Sequence, residues 1–563
     1  MSSWALARIR HAKRAPIKPR GLTPAARAAN LPAMRDGIAW SNDLLTLAAR
    51  FGDRVAVTDG RATLSYAGLA ARAHALAHRL RAAGIAPGAP AATLVPNGIE
   101  APWVSAGVTL CGAAEVPINA NATDGEIRWF AELAGFRRIV APRAQQARLA
   151  ALGLDPWALE DIAPDPAAAP LPPVPADAWG RIIFTSGTTG RPKAILHTHG
   201  GRWTAHLLQR AVLPFTPGRG DRVLLMTPYV HGASLITAAW LEQGAEVVLQ
   251  DGVRAEAVEP ILAARPSAVF APPTVLAKIL ALFPGRRFEG VRCIFTGTST
   301  LSRALWQQAA EAFGPVVRVT YGMSECFNPI TVLEAPDVAE AMAEPDDGLG
   351  AHLGWPAPGV EIAVRGEDGA ALPAGEAGEI WLRARHMNAG TIAAAGFAPR
   401  APGAWHRTGD LGALDARGRL RLSGRAADVM KSGGYRIHPG EIEAALDGAA
   451  GGRALCVLGI PSDYWGEVVV AVAESPPEGW AAEAEARVAS LARPKRPRAW
   501  LALPDLPRNA QGKVVRARVR EAILATHALQ DGPHPCLVAR APQQPRGAHR
   551  PHGEGCAAPR EAE

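Results

Sequence analysis

Lysine, cysteine and long apolar runs are all scarce in this chain of 563 residues. Only seven of its 60 Lys and Arg side chains are lysines. Six cysteines lie far apart with no Cys-x-x-Cys pair, which excludes a disulfide framework and a zinc cluster. The longest apolar stretch, Val104 to Val116, is too short to span a bilayer and predicts a buried helix. We therefore expect a cytoplasmic protein with no integral membrane segment.

Acidic residues are missing from the start of the chain. Eight Lys and Arg residues and no acid precede Asp36, the far C-terminus is also rich in Arg, and the middle is nearly balanced within a net charge of +8. Composition alone favours a nucleic-acid binder, whose affinity would fall with salt and vanish when both arms are removed. Because the basic excess lies in flanking arms, we expect no nucleic-acid partner.

Short β-rich runs alternate with helical patterns from about residue 61, which predicts an α/β fold with parallel-rich β-sheets flanked by helices. The β-rich runs are Ala91–Val95, Arg138–Val140, Arg222–Met226, Ala245–Leu249, Ala268–Phe270, Arg292–Phe295 and Val316–Val319. We divide the chain into an arm (1–37), a large domain (38–424), a small domain (425–525) and a tail (526–563). Composition predicts that the arm and tail are disordered, although a transit peptide could resemble the arm.

A strand-like run at 181–184 is followed by a loop rich in hydroxyl groups and glycine. The loop consists of Thr185, Ser186, Gly187, Thr188, Thr189, Gly190, Arg191, Pro192 and Lys193. Backbone N–H groups of such a loop can approach phosphate oxygens closely, and the lysine adds positive charge. It is not a Walker A sequence, because Pro192 and Ala194 replace the second glycine and the hydroxyl that binds Mg²⁺. We predict a phosphate-binding loop; a simple Gly-rich hairpin turn is the alternative.

Four further segments carry polar groups suited to a nucleotide. They are Tyr321–Gly322–Met323–Ser324–Glu325, Trp405–His406–Arg407–Thr408–Gly409–Asp410, Gly424–Arg425 with Lys431–Arg436, and Pro507–Lys513. The first follows a β-rich run, at the kind of strand end where α/β proteins place ligands. In the second, Asp410 offers a carboxylate suited to ribose hydroxyls.

Taken together and in this order, the five segments resemble the adenylate-forming superfamily of acyl-CoA synthetases, peptide adenylation domains and luciferases. The resemblance extends over about residues 40 to 525. It implies a large N-terminal domain with a small barrel-like subdomain, and a small mobile α+β C-terminal domain. It also implies an active site between the two, which activates a small carboxylic acid with ATP and Mg²⁺ and transfers it to coenzyme A.

The resemblance further implies a role for each matching residue. Residues 185–190 and Lys193 would hold the β- and γ-phosphates, and Glu325 would ligate Mg²⁺. Contacts to adenine or ribose would come from Thr298, Ser299, Thr300, Tyr321, Gly322, Ser324, Asp410 and Arg425. Lys513 would be the adenylation lysine, acting with Thr185, Lys193 and Glu325 as the catalytic set; a surface lysine is the alternative.

Other matching positions concern the acyl group and the thiol. His231 would close the acyl pocket and Cys326 would face it, although an isolated histidine is more often a core residue. The thiolation loop would comprise Lys431, Ser432, Gly433 and Gly434, with Lys431 as a plain surface charge the alternative. Ala427 stands where the family usually has a hinge Asp or Lys. Tyr229–Val230 lacks the Asp that binds an α-amine, so we favour an aryl, cyclic or medium-chain acid.

Three other functions compete with the CoA ligase. A carrier-protein ligase is the nearest, although the tail contains no carrier domain; luciferase-like oxidation is more remote. The third is a nucleotide-binding regulator that has lost catalysis, which Ala427 and the small residues of 390–396 make conceivable. Retention of Lys193, Glu325, Asp410 and Lys513 argues against it.

Overall fold

The computed structural model describes residues 37–185, 192–345, 347–509 and 512–540, without the side chain of His231. Residues 1–36 of the predicted arm, residues 186–191 and the tail beyond 540 therefore lie outside the described residues. The α-helices of the described part are α1 Trp40–Phe51, α2 Tyr66–Ala82, α3 Glu100–Cys111, α4 Asp124–Ala134, α5 Gln146–Ala151, α6 His199–Ala211, α7 Ser234–Leu241, α8 Ala255–Ala263, α9 Pro273–Leu282, α10 Arg303–Phe313, α11 Ala335–Ala343, α12 Pro439–Ala445, α13 Trp480–Val488 and α14 Arg516–Thr526.

The strands alternate with these helices up to β13 and follow one another more directly thereafter. Up to that point they are β1 Val55–Thr58, β2 Thr63–Ser65, β3 Pro90–Thr93, β4 Ala114–Pro117, β5 Arg138–Ala141, β6 Asp155–Ala158, β7 Trp179–Thr185, β8 Lys193–Thr198, β9 Arg222–Leu225, β10 Glu246–Leu249, β11 Ala268–Phe270, β12 Cys293–Thr296 and β13 Val317–Met323. The later ones are β14 Cys326–Leu333, β15 Ala351–Pro356, β16 Val360–Arg365, β17 Gly378–Ala384, β18 Gly390–Ala393, β19 Gly396–Pro399, β20 His406–Leu414, β21 Leu420–Arg425, β22 Met430–Ser432, β23 Tyr435–Ile437, β24 Leu455–Ser462, β25 Gly466–Glu474, β26 Ala499–Leu503, β27 His527–Gln530 and β28 Cys536–Ala539.

Two large mixed sheets form most of the molecule, which confirms the α/β prediction. The first has 13 strands in the order β16-β17-β20-β21-β15-β14-β13-β12-β11-β9-β10-β1-β2. The second has eight in the order β19-β18-β8-β7-β4-β3-β5-β6. Neighbours from β13 through β12, β11, β9 and β10 to β1 are parallel, as are β7, β4, β3, β5 and β6.

Local signals explain where individual elements start and stop. The Ser302 hydroxyl caps α10 by accepting from the Leu305 N–H at 3.2 Å, so the helix begins at Arg303. We expected one buried helix from Val104 to Val116. The run is divided instead, because Gly112 ends α3 in a left-handed conformation (φ 84°) and β4 follows. Gly107 lets α3 pack closely on α2, since a Cβ there would lie 2.8 Å from Leu76.

The antiparallel strands beyond β14 do not confirm the small barrel-like subdomain. Strands β15, β16, β17, β20 and β21 continue the 13-stranded sheet, and β16 pairs only with β17 in the described strand order. The sheet therefore ends at an open edge here.

A separate C-terminal unit contains the sheet β23-β22-β25-β24, with β26 beside β25, together with α12, α13 and α14. A boundary near residue 425 between a large and a small domain is our proposal. The prediction that the chain is disordered from 526 is wrong for 527–540, where β27 and β28 pair as a hairpin. The Asp531 carboxylate anchors this hairpin by accepting from the Ser462 hydroxyl and the Asp463 N–H, each at 2.6 Å.

None of the helices in the described ranges is long and apolar enough to cross a membrane.

Two leucines test how strongly the core between α2 and α3 stabilises the fold. Leu76 is fully buried, whereas Leu207 on α6 is 41% exposed. We expect Leu76→Ala to lower the free energy of unfolding by about 2–5 kcal/mol, because it leaves a cavity. Leu207→Ala should change it by less than about 0.5 kcal/mol. Thermal and urea unfolding of the two variants will measure the difference; equal losses would contradict the assigned packing.

Candidate active site

The ends of two parallel strands build one wall of the candidate site. Strand β12 lies beside β13, and the segment 298–300 follows β12 directly. Gly297 is needed at this point because a Cβ would lie 2.5 Å from the Thr320 carbonyl oxygen. Thr298 then takes a left-handed conformation (φ 71°) with an exposed side chain. The backbone strain at Thr298 marks a turn whose hydroxyl groups are open to a ligand.

Asp410 is the polar centre of the site. Its carboxylate is 5% exposed, accepts from the Tyr321 hydroxyl at 2.5 Å, and lies 3.1 Å from Nε of Arg425. Strands β20 and β21 pair Asp410 with Arg425, while Tyr321 comes from β13. Burial is the largest cause that raises the pKa of Tyr321, and the adjacent Asp410 carboxylate is the next. The hydroxyl therefore stays protonated and donates. The structure thus brings together three of the residues that we assigned to the nucleotide.

Lys513 reaches this centre from the C-terminal unit. The Lys513 N–H donates to Asn509 Oδ1 at 2.9 Å, and the neighbouring Gly512 lies near the Thr274 hydroxyl of α9. Part of the Lys513 surface is exposed. Burial of the rest is the largest cause that lowers the pKa of Lys513, Arg425 adds to the decrease, and Asp410 opposes it. A cation from the C-terminal unit therefore interacts electrostatically with the buried carboxylate of Asp410.

Glu325 lies in the turn between β13 and β14, half-buried. Its carbonyl oxygen accepts from the Asn388 N–H at 2.7 Å, which fixes the turn. Burial is the main cause that raises the pKa of Glu325; Arg425 and Arg400 oppose it, and Asp410 adds to it. Arg400 is a charged residue of this region that sequence reasoning missed, because no motif contains it.

His197 on β8 is a second residue that was missed. Its Nε2 lies 2.8 Å from the Ser324 carbonyl oxygen, and its ring stacks on Phe327 with centroids 3.8 Å apart. Burial lowers its pKa to about 3, so the neutral ring donates from Nε2. The contacts hold the chain on both sides of Glu325. Gly322, in the same segment, admits Asn328, because a Cβ would lie 2.2 Å from Asn328 Oδ1.

The predicted phosphate-binding loop is described only at its ends. Thr185 and Lys193 are paired residues of the antiparallel strands β7 and β8, and Lys193 is exposed. The loop therefore connects the two strands of a hairpin. This is compatible both with a phosphate-binding loop and with a simple Gly-rich hairpin turn. Ser186, Gly187, Thr188, Thr189 and Gly190 lie outside the described residues.

The predicted acyl-pocket residues are placed unequally. The backbone at His231 forms part of a single π-helical turn, Tyr229–Ala233, of a kind frequent at functional sites. Arg181 pins this turn by donating to the Val230 carbonyl oxygen at 2.9 Å, and Arg181 itself pairs with buried Glu115. Cys326 is fully buried in the hydrophobic core, so its place in an acyl pocket stays a prediction.

The predicted thiolation loop is a hairpin on the C-terminal unit. Ser432 ends β22 and is buried, and Gly433 and Gly434 turn with φ of 57° and 82°. Glycine is favoured at 433, because a Cβ in this left-handed conformation would lie 3.1 Å from the Trp465 ring. The Gly433 N–H donates to the Trp465 carbonyl oxygen at 2.8 Å. Lys431 is exposed, and the hinge candidate Ala427 is exposed in a short 3₁₀ turn.

Comparison with known proteins places the chain in a family. Residues 45–390 match the AMP-binding enzyme family, and the chain belongs to it. Sulfoacetate–CoA ligase of Cupriavidus necator is 30% identical, and the match covers 82% of this chain and 93% of that protein. The 2-succinylbenzoate–CoA ligase of Geobacillus kaustophilus is 29% identical, with 84% and 96% covered.

Solved structures of other proteins have a similar fold. The o-succinylbenzoate CoA synthetase of Bacillus subtilis, in complex with its acyl-adenylate, has a TM-score of 0.72 at 26% identity, covering 85% of this chain and 98% of that one. ATP-bound MatB of Rhodopseudomonas palustris has a TM-score of 0.73 at 25% identity, covering 86% and 98%.

Two buried histidines near the site make the stability of the fold sensitive to acid. Burial lowers the pKa of both His197 and His199 to about 3, against 6.5 for an ordinary histidine. Between these values the unfolded chain binds more protons than the folded protein, so stability should fall as the pH decreases from about 6.5 toward 3. The melting temperature from pH 7.5 to 4.5 tests this. His199→Gln should give a shallower decline; an identical slope would contradict the assignment.

Proposed function

We propose that this protein activates a carboxylic acid with ATP, forms an acyl-adenylate, and then transfers the acyl group to the thiol of coenzyme A. The observation that carries the proposal is the position of Lys513, which the C-terminal unit brings alongside Asp410 and Arg425. The ligase names of the relatives, among them feruloyl-CoA synthase and indoleacetate–CoA ligase, support the same reaction class.

The chemistry explains why no catalytic triad is needed. A carboxylate is already a nucleophile at neutral pH, so the reaction requires only alignment and neutralisation of the repelling anions. In our proposal the acid forms a bond to the α-phosphorus, and the bond to the β-phosphate bridge breaks as pyrophosphate leaves. In the same proposal the Lys513 ammonium neutralises the acid and the α-phosphate together.

The nucleoside would lie along β12, β13 and β20. Asp410 has Tyr321 on one oxygen and Arg425 on the other, and each oxygen keeps a lone pair for a ribose hydroxyl. The open turn at 298–300 is the adenine wall in this proposal. Lys193, at the start of β8, would face the outer phosphates.

Magnesium fits the residues that are present. Within the described ranges no group of three or more His, Cys, Asp or Glu side chains could hold a metal by itself. Mg²⁺ commonly binds through one or two carboxylates together with substrate phosphates, and Glu325 supplies one. When bound, the ion would neutralise charge on the phosphates.

The proposal also includes a class of acid substrate and a thiol acceptor. We favour an aryl, cyclic or medium-chain acid, because Tyr229–Val230 offers no carboxylate for an amine and several relatives are named for aromatic acids. Coenzyme A is the proposed acceptor, with Lys431–Gly434 as the loop that admits its thiol. A carrier protein is the second candidate, because one relative is named as a fatty acid–carrier-protein ligase.

Lys513→Ala tests the central observation. We expect a loss of roughly 10²–10³ in the rate of ATP–pyrophosphate exchange, which is typical of removing one preorganised donor. Lys495→Ala is the matched control, because Lys495 lies in the same unit but pairs with Glu441. An unchanged exchange rate in Lys513→Ala would remove this residue from the site.

A panel of acids tests the substrate class. With ATP, Mg²⁺ and coenzyme A, we expect release of pyrophosphate and trapping of hydroxamate with aryl or cyclic acids. Replacing coenzyme A with a phosphopantetheinylated carrier protein in parallel reactions distinguishes the two acceptors. No response to any acid would contradict the proposed reaction, and thioester formed only on the carrier would replace the acceptor.

A further inference from the structure

The small residues of 390–396 build a hairpin beside the phosphate-loop strand. Strand β18 pairs with β8, which begins at Lys193, and with β19 on its other side. Gly390 has to be glycine, because a Cβ there would lie 2.5 Å from the Ala398 carbonyl oxygen and from the Phe397 ring. Gly390 thus lets the two strands approach closely, so it serves a structural purpose.

Arg400 follows the second strand of this hairpin and is held firmly. Its backbone N–H donates to the Ala389 carbonyl oxygen at 2.8 Å. In its guanidinium group, Nε donates to Asn388 Oδ1 at 2.9 Å, and a terminal nitrogen lies 3.1 Å from His406 Nδ1. Burial lowers the pKa of His406 to about 4, so this ring is neutral and accepts. Both side-chain partners of the guanidinium are therefore uncharged.

Arg400 has no carboxylate in ion-pair contact, in contrast to three more deeply buried arginines. Arg181 pairs with Glu115, Arg318 with Glu334 and Arg419 with Asp415. Among the ion pairs formed by the described residues, none includes Arg400. A half-buried guanidinium without an anion is costly, and its planar fork of donors matches carboxylate or phosphate oxygens.

An open cleft lies in front of this guanidinium. The cleft has a volume of about 270 Å³ and is lined by Asn388, Thr391 and Arg400, with small residues between them. It adjoins the main chain of Glu325, the proposed metal ligand, because the Asn388 N–H donates to the Glu325 carbonyl oxygen. Arg400 and Glu325 influence each other electrostatically without forming an ion pair.

We propose that Arg400 and this cleft bind the terminal phosphates of the nucleotide and the pyrophosphate that leaves. The assignment rests on the proposed function and places the anion between the β18–β19 hairpin and Glu325. When the α-phosphate bridge breaks, its electron pair goes to pyrophosphate, and the Arg400 guanidinium stabilises the charge that this group gains. A ligand without β- and γ-phosphates does not reach Arg400.

Binding measurements on the full chain test the assignment. Isothermal titration compares Mg-ATP, Mg-pyrophosphate, AMP and coenzyme A on wild type, Arg400→Gln and Arg400→Lys. We expect Arg400→Gln to weaken ATP and pyrophosphate about tenfold, as for one charge-assisted hydrogen bond. AMP and coenzyme A should bind as in wild type. Arg400→Lys should recover part of the loss, because it keeps the charge without the fork.

Arg417→Gln is the matched control. Arg417 lies outside the candidate site, is exposed, and pairs with Glu340, so its loss should leave all four affinities unchanged. Equal weakening of AMP and ATP, weakening of coenzyme A alone, or no change would overturn the assignment. If Arg400→Gln does not fold, Arg400→Lys decides by the same comparison of pyrophosphate with AMP. A wild-type protein that binds no ATP would instead refute the proposed function.

Discussion

The buried carboxylate of Asp410 is the constraint on which the arrangement of the site depends. A carboxylate that is 5% exposed is costly unless its oxygens are satisfied, and here Tyr321 and Arg425 satisfy one oxygen each. These partners come from β13 and β21, so the carboxylate joins two separate parts of the long sheet. Lys513 interacts electrostatically with this carboxylate, which Tyr321 and Arg425 hold in place. Such preorganisation is what electrostatic catalysis requires.

A second buried polar layer connects the two large sheets behind the site. Arg181, on β7 of the eight-stranded sheet, pairs with Glu115 and holds the Val230 carbonyl oxygen of the π-helical turn. His197, on the neighbouring strand β8, holds the Ser324 carbonyl oxygen of the 13-stranded sheet. Burial keeps this histidine neutral, which spares the layer a further positive charge beside Arg181. These hydrogen bonds hold the hairpin that carries Lys193 in position relative to the turn that carries Glu325.

The hairpin at 390–399 shows how composition alone can mislead. Its run of small residues made a decayed site conceivable, because side chains that touch a ligand are usually larger and polar. In the structure these residues allow two strands to pack tightly and bring Arg400 to the cleft beside Glu325. In our proposal the phosphate-binding side chain, Arg400, lies just beyond the run, and Gly390 within the run lets the two strands pack closely.

The sequence by itself determined the alternating α/β architecture, most strand positions and the motifs of the AMP-binding family, because these depend on local periodicity and on contiguous residue types. It could not reveal that Gly112 divides the run from Val104 to Val116, or that 527–540 pairs as a hairpin anchored by Asp531. Nor could it find His197 and Arg400. Their partners are 127 and 12 residues away in sequence, at Ser324 and Asn388, and only the paired strands bring them together. Contacts between distant segments depend on sheet order and packing, which only the tertiary structure decided.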